Sequence, residues 1–229
     1  MHHLIQVLPY NHFMNAYGLS ELAPISMTSY GDTEEHIANT VGKPVDGIEI
    51  RIYDLASGTD CVTGDGKSGE ILVRGQSMMA CYYKRDIDDQ SVDDEDWLHT
   101  GDLGFLDESG YLHIVGRSNE LIIRSGENII PNEIASAIAD FDNVSDVKVM
   151  GVPDDFYGEV PAACIVLQDR NSWNPDALLN FLEGKLAKFK IPSYMEVFEE
   201  FPTLSNGKVD MLGLKRILLE RIKETAESA

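Results

Sequence analysis

The sequence predicts an α+β protein with a β-rich first half and a compact second half in which strands and helices mix. Three observations carry this expectation. Ile48, Ile50 and Ile52 alternate with Glu49, Arg51 and Tyr53, the period of a half-buried strand. Gly104–Leu106 and Tyr111–Ile114 flank the turn Asp107-Glu108-Ser109-Gly110, with Gly where a positive φ is wanted, so they predict a hairpin. After Gly116 the apolar residues recur at helical spacing, first as Ile134, Ala137, Ile138 and Phe141 behind Pro131.

The other elements follow in chain order. Residues up to about 40 are mixed, with a turn at Tyr17-Gly18. Thr63-Gly64-Asp65-Gly66 is a turn cluster, and Glu70 to Gly75 forms the next strand. An acidic run from Asp86 to Asp96 has no fixed ligand spacing and is a solvated loop, not a metal site. The apolar residues Leu121–Ile123 predict a buried strand, and Val147–Val152 and Ala162–Leu167 predict two more. A helix is expected from Asn174 to Lys188: Asn174 caps it, Pro175 opens it, and Leu178, Phe181, Leu182 and Leu186 make its stripe. The last helix starts near Met211, amphipathic through Leu214, Ile217, Leu218 and Ile222. The two halves meet close to Gly116–Asn119.

Bulk properties exclude some functions. A formal net charge of −21 argues against binding nucleic acid or an anionic membrane, since both need a basic face. No apolar run is long enough to span a bilayer. Cys61, Cys81 and Cys164 lie far apart without C-x-x-C spacing, which reads as mostly buried, reduced thiols of a cytoplasmic protein. His2, His3 and His12 lack partners for a metal site and read as surface histidines.

Four short strings carry the chemistry: Tyr17-Gly18-Leu19-Ser20-Glu21, Trp97-Leu98-His99-Thr100-Gly101-Asp102, Gly116 to Ile134 (GRSNELIIRSGENIIPNEI), and Pro202 to Asp210 (PTLSNGKVD). Each alone has a plain reading. Tyr17-Gly18 could be a turn with Ser20 as a cap, and Asp102 could be an Asx-turn residue opening the hairpin. Arg117 could be a surface charge, Tyr157 a half-buried tyrosine and Lys208 an idle exposed lysine. All four in this order, with Gly69-Glu70-Ile71-Leu72-Val73-Arg74-Gly75 between the first two, are hard to obtain by chance.

Together they resemble the C-terminal part of the adenylate-forming enzymes, in particular the acyl-CoA synthetases (AMP-dependent ligases). The resemblance runs from about Asn15 to the last helix. It implies that residues 1–116 are the C-terminal remnant of a large AMP-binding domain, β-rich and distorted-barrel-like. Residues 117–229 would be a small, mobile C-terminal domain. It also implies an activity: a carboxylic acid attacks the α-phosphate of ATP to give an acyl-adenylate, and the thiolate of coenzyme A then displaces AMP.

The same resemblance implies residue roles. Tyr17 would lie against adenine, the Ser20 hydroxyl near the α-phosphate, and Glu21 on Mg²⁺, a hard cation that suits carboxylate oxygen. Asp102 would accept hydrogen bonds from both ribose hydroxyls, and Arg117 would also reach the nucleotide. Lys208 would bridge the carboxylate substrate and the α-phosphate, a task for a compact charge on a flexible stem. Asn119 stands at the hinge, where relatives more often carry Asp or Lys. Gly126, in Ser125-Gly126-Glu127-Asn128, would line the path of the coenzyme A arm, with Ser125 replacing a first glycine. Tyr157 would stack on the adenine of coenzyme A.

The family's upstream phosphate loop, ending in Pro-Lys-Gly, has no counterpart here. The expectation is a fragment, inactive alone, that a complementing N-terminal half would complete. Residues 1–116 would then expose apolar surface, while 117–229 would fold by themselves. An adenylation domain of a peptide synthetase is the alternative within enzymes, although the IIRSGENIIP string favours the CoA ligases. A non-catalytic module binding coenzyme A, nucleotide or a partner chain is the alternative from another class. The acid itself is not legible, because its pocket belongs largely to the upstream part.

Overall fold

The computed structural model describes residues 13–80 and 91–227. It divides into two compact units, Met1–Asn119 and Glu120–Ala229. His2, His3, His12, Cys81 and the start of the acidic run lie outside the described residues.

The first unit contains two open sheets. Strands β1 (Ala16–Tyr17), β2 (Ser26–Met27) and β3 (Lys43–Pro44) make a small antiparallel sheet in that order. Helix α1 (Glu34–Asn39) intervenes, capped by Thr33, whose side chain accepts the His36 N–H. The larger sheet comprises β4 (Ile48–Asp54), β5 (Thr59–Asp60), β6 (Gly69–Gly75), β7 (Leu98–Leu106) and β8 (Leu112–Arg117). Its order is β5-β4-β6-β7-β8. The α+β class is the one expected. The barrel-like form is not: β5 and β8 are the two ends of an open sheet among the described residues, so no ring closes.

One apolar core joins these sheets. Tyr17, Leu22 and Ile25 from the first pack with Ile52, Ile71, Val73, Leu98 and Leu112 from the second. Gly42 is held against the backbone of Met27; a Cβ there would lie 1.9 Å from the Met27 carbonyl carbon, and its φ is +82°. Only glycine allows β2 and the chain entering β3 to approach so closely. The expected hairpin is present, with Gly110 at φ +79°. Asp107 secures its turn by accepting the N–H groups of Ser109 and Tyr111.

The second unit is one five-stranded sheet covered on both faces. Strands β9 (Ile122–Arg124), β10 (Glu127–Ile129), β11 (Val144–Asp154) and β12 (Gly158–Leu167) run in the order β10-β9-β12-β11. Strand β13 (Tyr194–Phe198) pairs parallel to β12. Helices α2 (Pro131–Ala139) and α3 (Pro175–Glu183) cover one face, and α4 (Met211–Glu227) the other. The period of two along β12 accounts for the near-continuous apolar run. Ala163, Ile165 and Leu167 face α2 and α3, whereas Val160, Ala162 and Cys164 face α4.

Two expectations need correction. Helix α3 stops at Glu183, not Lys188, because Gly184 caps its C-terminus and the Leu186 stripe position falls beyond it. Of the expected buried strand Leu121–Ile123, only Ile122 is buried; Ile123 is 55% exposed on the opposite face of β9. No helix among the described residues is long and apolar enough to cross a membrane.

Candidate functional site

In the first unit the fold gathers Tyr17, Asp102 and Arg117. Tyr17 ends β1, Asp102 lies in β7, and Arg117 ends β8 directly opposite Asp102 in the ladder. The Tyr17 hydroxyl donates to Asp102 Oδ2 at 2.7 Å, and Arg117 Nε lies 3.2 Å from Asp102 Oδ1. Asp102 is 6% exposed, whereas the Arg117 side chain is largely in solvent. Burial, then the hydrogen bond to this carboxylate, pushes the Tyr17 phenol well above its ordinary pKa. It therefore stays protonated and donating.

The carboxylate of Asp102 keeps acceptor capacity beyond these partners, because an ionised carboxylate offers about four lone-pair sites. Arg117 supplies an exposed cation beside it. Such a pair can take a ligand that brings hydroxyl donors to one side and negative charge to the other.

Loop 18–24 follows Tyr17 and holds Ser20 and Glu21. A Cβ on Gly18 would meet the Ala23 Cβ at 3.1 Å, and the Leu19 N–H bonds to the Leu22 carbonyl at 2.9 Å, so the loop folds tightly on itself. Ser20 is exposed and Glu21 half-buried. The Glu21 carbonyl accepts the Met79 N–H at 2.8 Å, anchoring the loop to the segment after β6. No group of three or more His, Cys, Asp or Glu among the described residues is placed to hold a metal ion.

Asn119 sits in a one-turn 3₁₀ segment, Ser118–Glu120, and is exposed. It is the last residue of the first compact unit. Its backbone does not use the left-handed region; the non-glycine residues there are Asp96, Ser125 and Asn143 among those described.

In the second unit Gly126 and Tyr157 come together, while Lys208 occupies a separate turn. Ser125 (φ +51°) and Gly126 (φ +88°) are the two loop residues between the paired Arg124 and Glu127, the signature of a type I′ hairpin turn. The Ser125 N–H donates to the Tyr157 carbonyl at 2.9 Å, and the Arg124 guanidinium lies 4.5 Å above the Tyr157 ring. Arg124 also donates to the Phe189 carbonyl at 2.6 Å. Arg124, Tyr157 and Phe189 border a cleft of about 530 Å³, whose charged lining also includes Lys188 and the acidic Glu183.

Lys208 lies on a tight turn closed by Leu204 N–H to Lys208 carbonyl (2.8 Å) and Gly207 N–H to Leu204 carbonyl (2.9 Å). Gly207 has φ +80°, and Asn206 Oδ1 accepts the Lys208 N–H. Lys208 is exposed.

Sequence reasoning passed over Glu70, His99, Thr100 and Ser118, which build the backbone around Asp102. Glu70 is 7% exposed; its Oε1 accepts the Gly101 N–H at 3.1 Å, and its Oε2 lies 3.0 Å from His99 Nδ1. The signal for it was a single acid directly before the apolar run Ile71–Val73.

Comparison with known proteins places the chain among its relatives. Residues 1–83 match the family model described as AMP-binding enzyme, and residues 133–208 match that of the AMP-binding enzyme C-terminal domain. The putative acyl-CoA synthetase YngI of Bacillus subtilis (strain 168) is 37% identical over 207 residues, 90% of this chain and 37% of the relative. The mitochondrial medium-chain acyl-CoA ligase ACSF2 of Homo sapiens is 35% identical over 202 residues, 87% of this chain and 32% of the relative. This chain therefore spans about a third of the length of the curated relatives it matches. Among solved structures, ATP-bound MatB from Rhodopseudomonas palustris superposes with a TM-score of 0.80 at 30% identity, covering 94% of this chain and 41% of that one. The o-succinylbenzoate CoA synthetase MenE of Bacillus subtilis, in complex with its acyl-adenylate intermediate, gives 0.76 at 32% identity, covering 93% and 43%.

Proposed function

Because this chain belongs to the AMP-binding enzyme family, we propose that it supplies the ribose-binding and C-terminal portion of an ATP-dependent, AMP-forming acid–thiol ligase. The reaction joins a carboxylic acid to ATP as an acyl-adenylate, releases pyrophosphate, and passes the acyl group to coenzyme A. The observation that carries the reading is the buried Asp102 carboxylate, oriented by Tyr17 and flanked by Arg117.

Each residue then has a physical task. Asp102 accepts the ribose hydroxyls through charge-assisted hydrogen bonds. Tyr17 holds that carboxylate in place and offers its ring edge to adenine. Arg117 stabilises negative charge on the nucleotide. The Ser20 hydroxyl bonds to the α-phosphate. Glu21 holds the magnesium ion that accompanies ATP, and that ion neutralises phosphate charge when bound. Lys208 bridges acid and α-phosphate during adenylation, its exposure leaving the ammonium free to enter and leave a forming site.

Asn119 is the pivot about which residues 117–229 turn against 1–116 between the two half-reactions. Coenzyme A then approaches along the Gly126 turn. The cleft beside Tyr157 presents an aromatic face with Arg124 and Lys188 nearby, which suits the adenine and phosphates of its nucleotide end. Cys61 and Cys164 are free thiols, in keeping with a cytoplasmic reaction. A complementing N-terminal portion supplies the phosphate loop and the acid pocket.

Calorimetric titration with AMP tests the reading. The chain should bind AMP, and Asp102→Ala should weaken binding roughly tenfold or more, as expected for losing a charged acceptor. An affinity for AMP that Asp102→Ala leaves untouched would overturn it.

A further inference from the structure

The position of Asp102 depends on an irregularity in the ladder between β6 and β7. Glu70 pairs with Leu103 and Leu72 pairs with His99, so Ile71 alone faces Thr100, Gly101 and Asp102. A bulge of this kind breaks the regular hydrogen bonds and re-aims the side chains within it. Gly101 takes φ +71°, a conformation that glycine adopts readily.

The backbone groups displaced from the ladder find side-chain partners. The Thr100 hydroxyl donates to the Ile71 carbonyl at 2.7 Å and accepts the Asp102 N–H at 3.1 Å. The Ser118 hydroxyl donates to the Gly101 carbonyl at 3.1 Å. The Gly101 N–H goes to Glu70 Oε1 at 3.1 Å. Glu70 is the one charged group in this set, and it is buried. Its second oxygen is held by His99 Nδ1 at 3.0 Å, and His99 Nε2 lies 3.9 Å from Asp93. A buried carboxylate is costly, and here an apolar residue would leave the Gly101 amide without its partner.

We propose that Glu70 is a positioning residue for the ligand site: through the Gly101 amide it holds the bulge that sets the Asp102 carboxylate against Tyr17 and the ribose of a bound nucleotide. It touches neither Tyr17 nor the ligand. The inference rests on the ribose-binding reading of Asp102 and extends it to the strand behind.

The test compares AMP with 2′,3′-dideoxy-AMP by calorimetry on the 229-residue chain, with melting curves to establish that each variant is folded. Wild type should prefer AMP by roughly tenfold or more, the worth of hydrogen bonds to a charged acceptor. Glu70→Gln should keep most of that preference, because an amide oxygen still accepts the Gly101 N–H. Glu70→Leu, similar in volume but without an acceptor, should bind the two nucleotides nearly equally while retaining the affinity due to adenine and phosphate. If Glu70→Leu does not fold, Glu70→Asp decides the matter: its shorter side chain withdraws from Gly101, and the preference should fall severalfold. A preference unchanged in the folded Leu or Asp variant overturns the role of Glu70 alone. A wild type with no preference for AMP overturns the ribose reading of Asp102, and the role of Glu70 with it.

Discussion

The Tyr17 hydroxyl and Asp102 Oδ2 are 2.7 Å apart, although the residues are separated by 85 positions in the chain. Both groups are buried, so the hydrogen bond satisfies polar atoms that water does not reach. Strand β1 brings one and the bulge in β7 the other. The contact ties the small sheet to the large one at the point where a nucleotide ribose is proposed to bind.

Tyr17→Phe should therefore cost both stability and ligand affinity. Removing the donor leaves a buried carboxylate with one partner fewer, a loss of about 1–3 kcal/mol. Denaturant unfolding should show a lower midpoint, and AMP titration a weaker affinity. Unchanged values for both would mean that Asp102 is oriented by other groups.

Ser125 occupies the first position of the hairpin turn at φ +51°, where a Cβ is strained and asparagine is favoured. Ser125→Asn should raise stability by up to about 1 kcal/mol without disturbing the fold. A melting-temperature series on the intact chain reads this directly. A fall instead of a rise would show that the Ser125 side chain has a task of its own.

Acid should weaken the first unit. The Tyr111 hydroxyl holds the Asp32 carboxyl below its usual range, and the Ala56 N–H with the Ser57 hydroxyl does the same for Asp54. Burial alone would raise Asp107, but the Tyr111 N–H, His113 and the Ser109 N–H together outweigh it and lower the carboxyl. In each case the folded pKa lies below the unfolded one, so the unfolded chain binds more protons between them. The stabilisation is present above an ordinary aspartate pKa of about 3.9 and is lost as pH falls through the folded values. Circular dichroism melts should show the midpoint dropping below about pH 4, and less steeply in Asp32→Asn. A drop of equal steepness in that variant would remove Asp32 from the account.

Cys164 should resist alkylation in the folded protein. Burial, assisted by nearby Glu196, pushes its thiol up to about 12, and the side chain has no exposure. Near pH 8 only about one molecule in ten thousand would carry the thiolate at that site. Iodoacetamide followed by mass spectrometry should leave Cys164 unmodified natively and modify it in denaturant. Native modification would indicate that α4 leaves the sheet readily.

Local pattern alone determined the elements and the short motif strings. The alternation at Ile48–Ile52, the Asn174-Pro175 helix start and the glycine turns at Gly110 and Gly126 are each set by neighbours in sequence, through period, capping and φ preference. Tyr17, Asp102, Arg117, Gly126, Tyr157 and Lys208 were singled out by the family resemblance, which local pattern by itself does not supply. Folding in space settled how they are held. The Tyr17–Asp102 contact, the pairing of Asp102 with Arg117, and the support of Gly101 by Glu70 all depend on which strands are neighbours and in what register. Register is a property of two strands together, fixed by shared burial and by bonds across a bulge, and no window along one strand contains it. The same holds for the openness of the sheet where a distorted barrel-like form was expected, and for Ile123, whose exposure was decided by which face of β9 met the core.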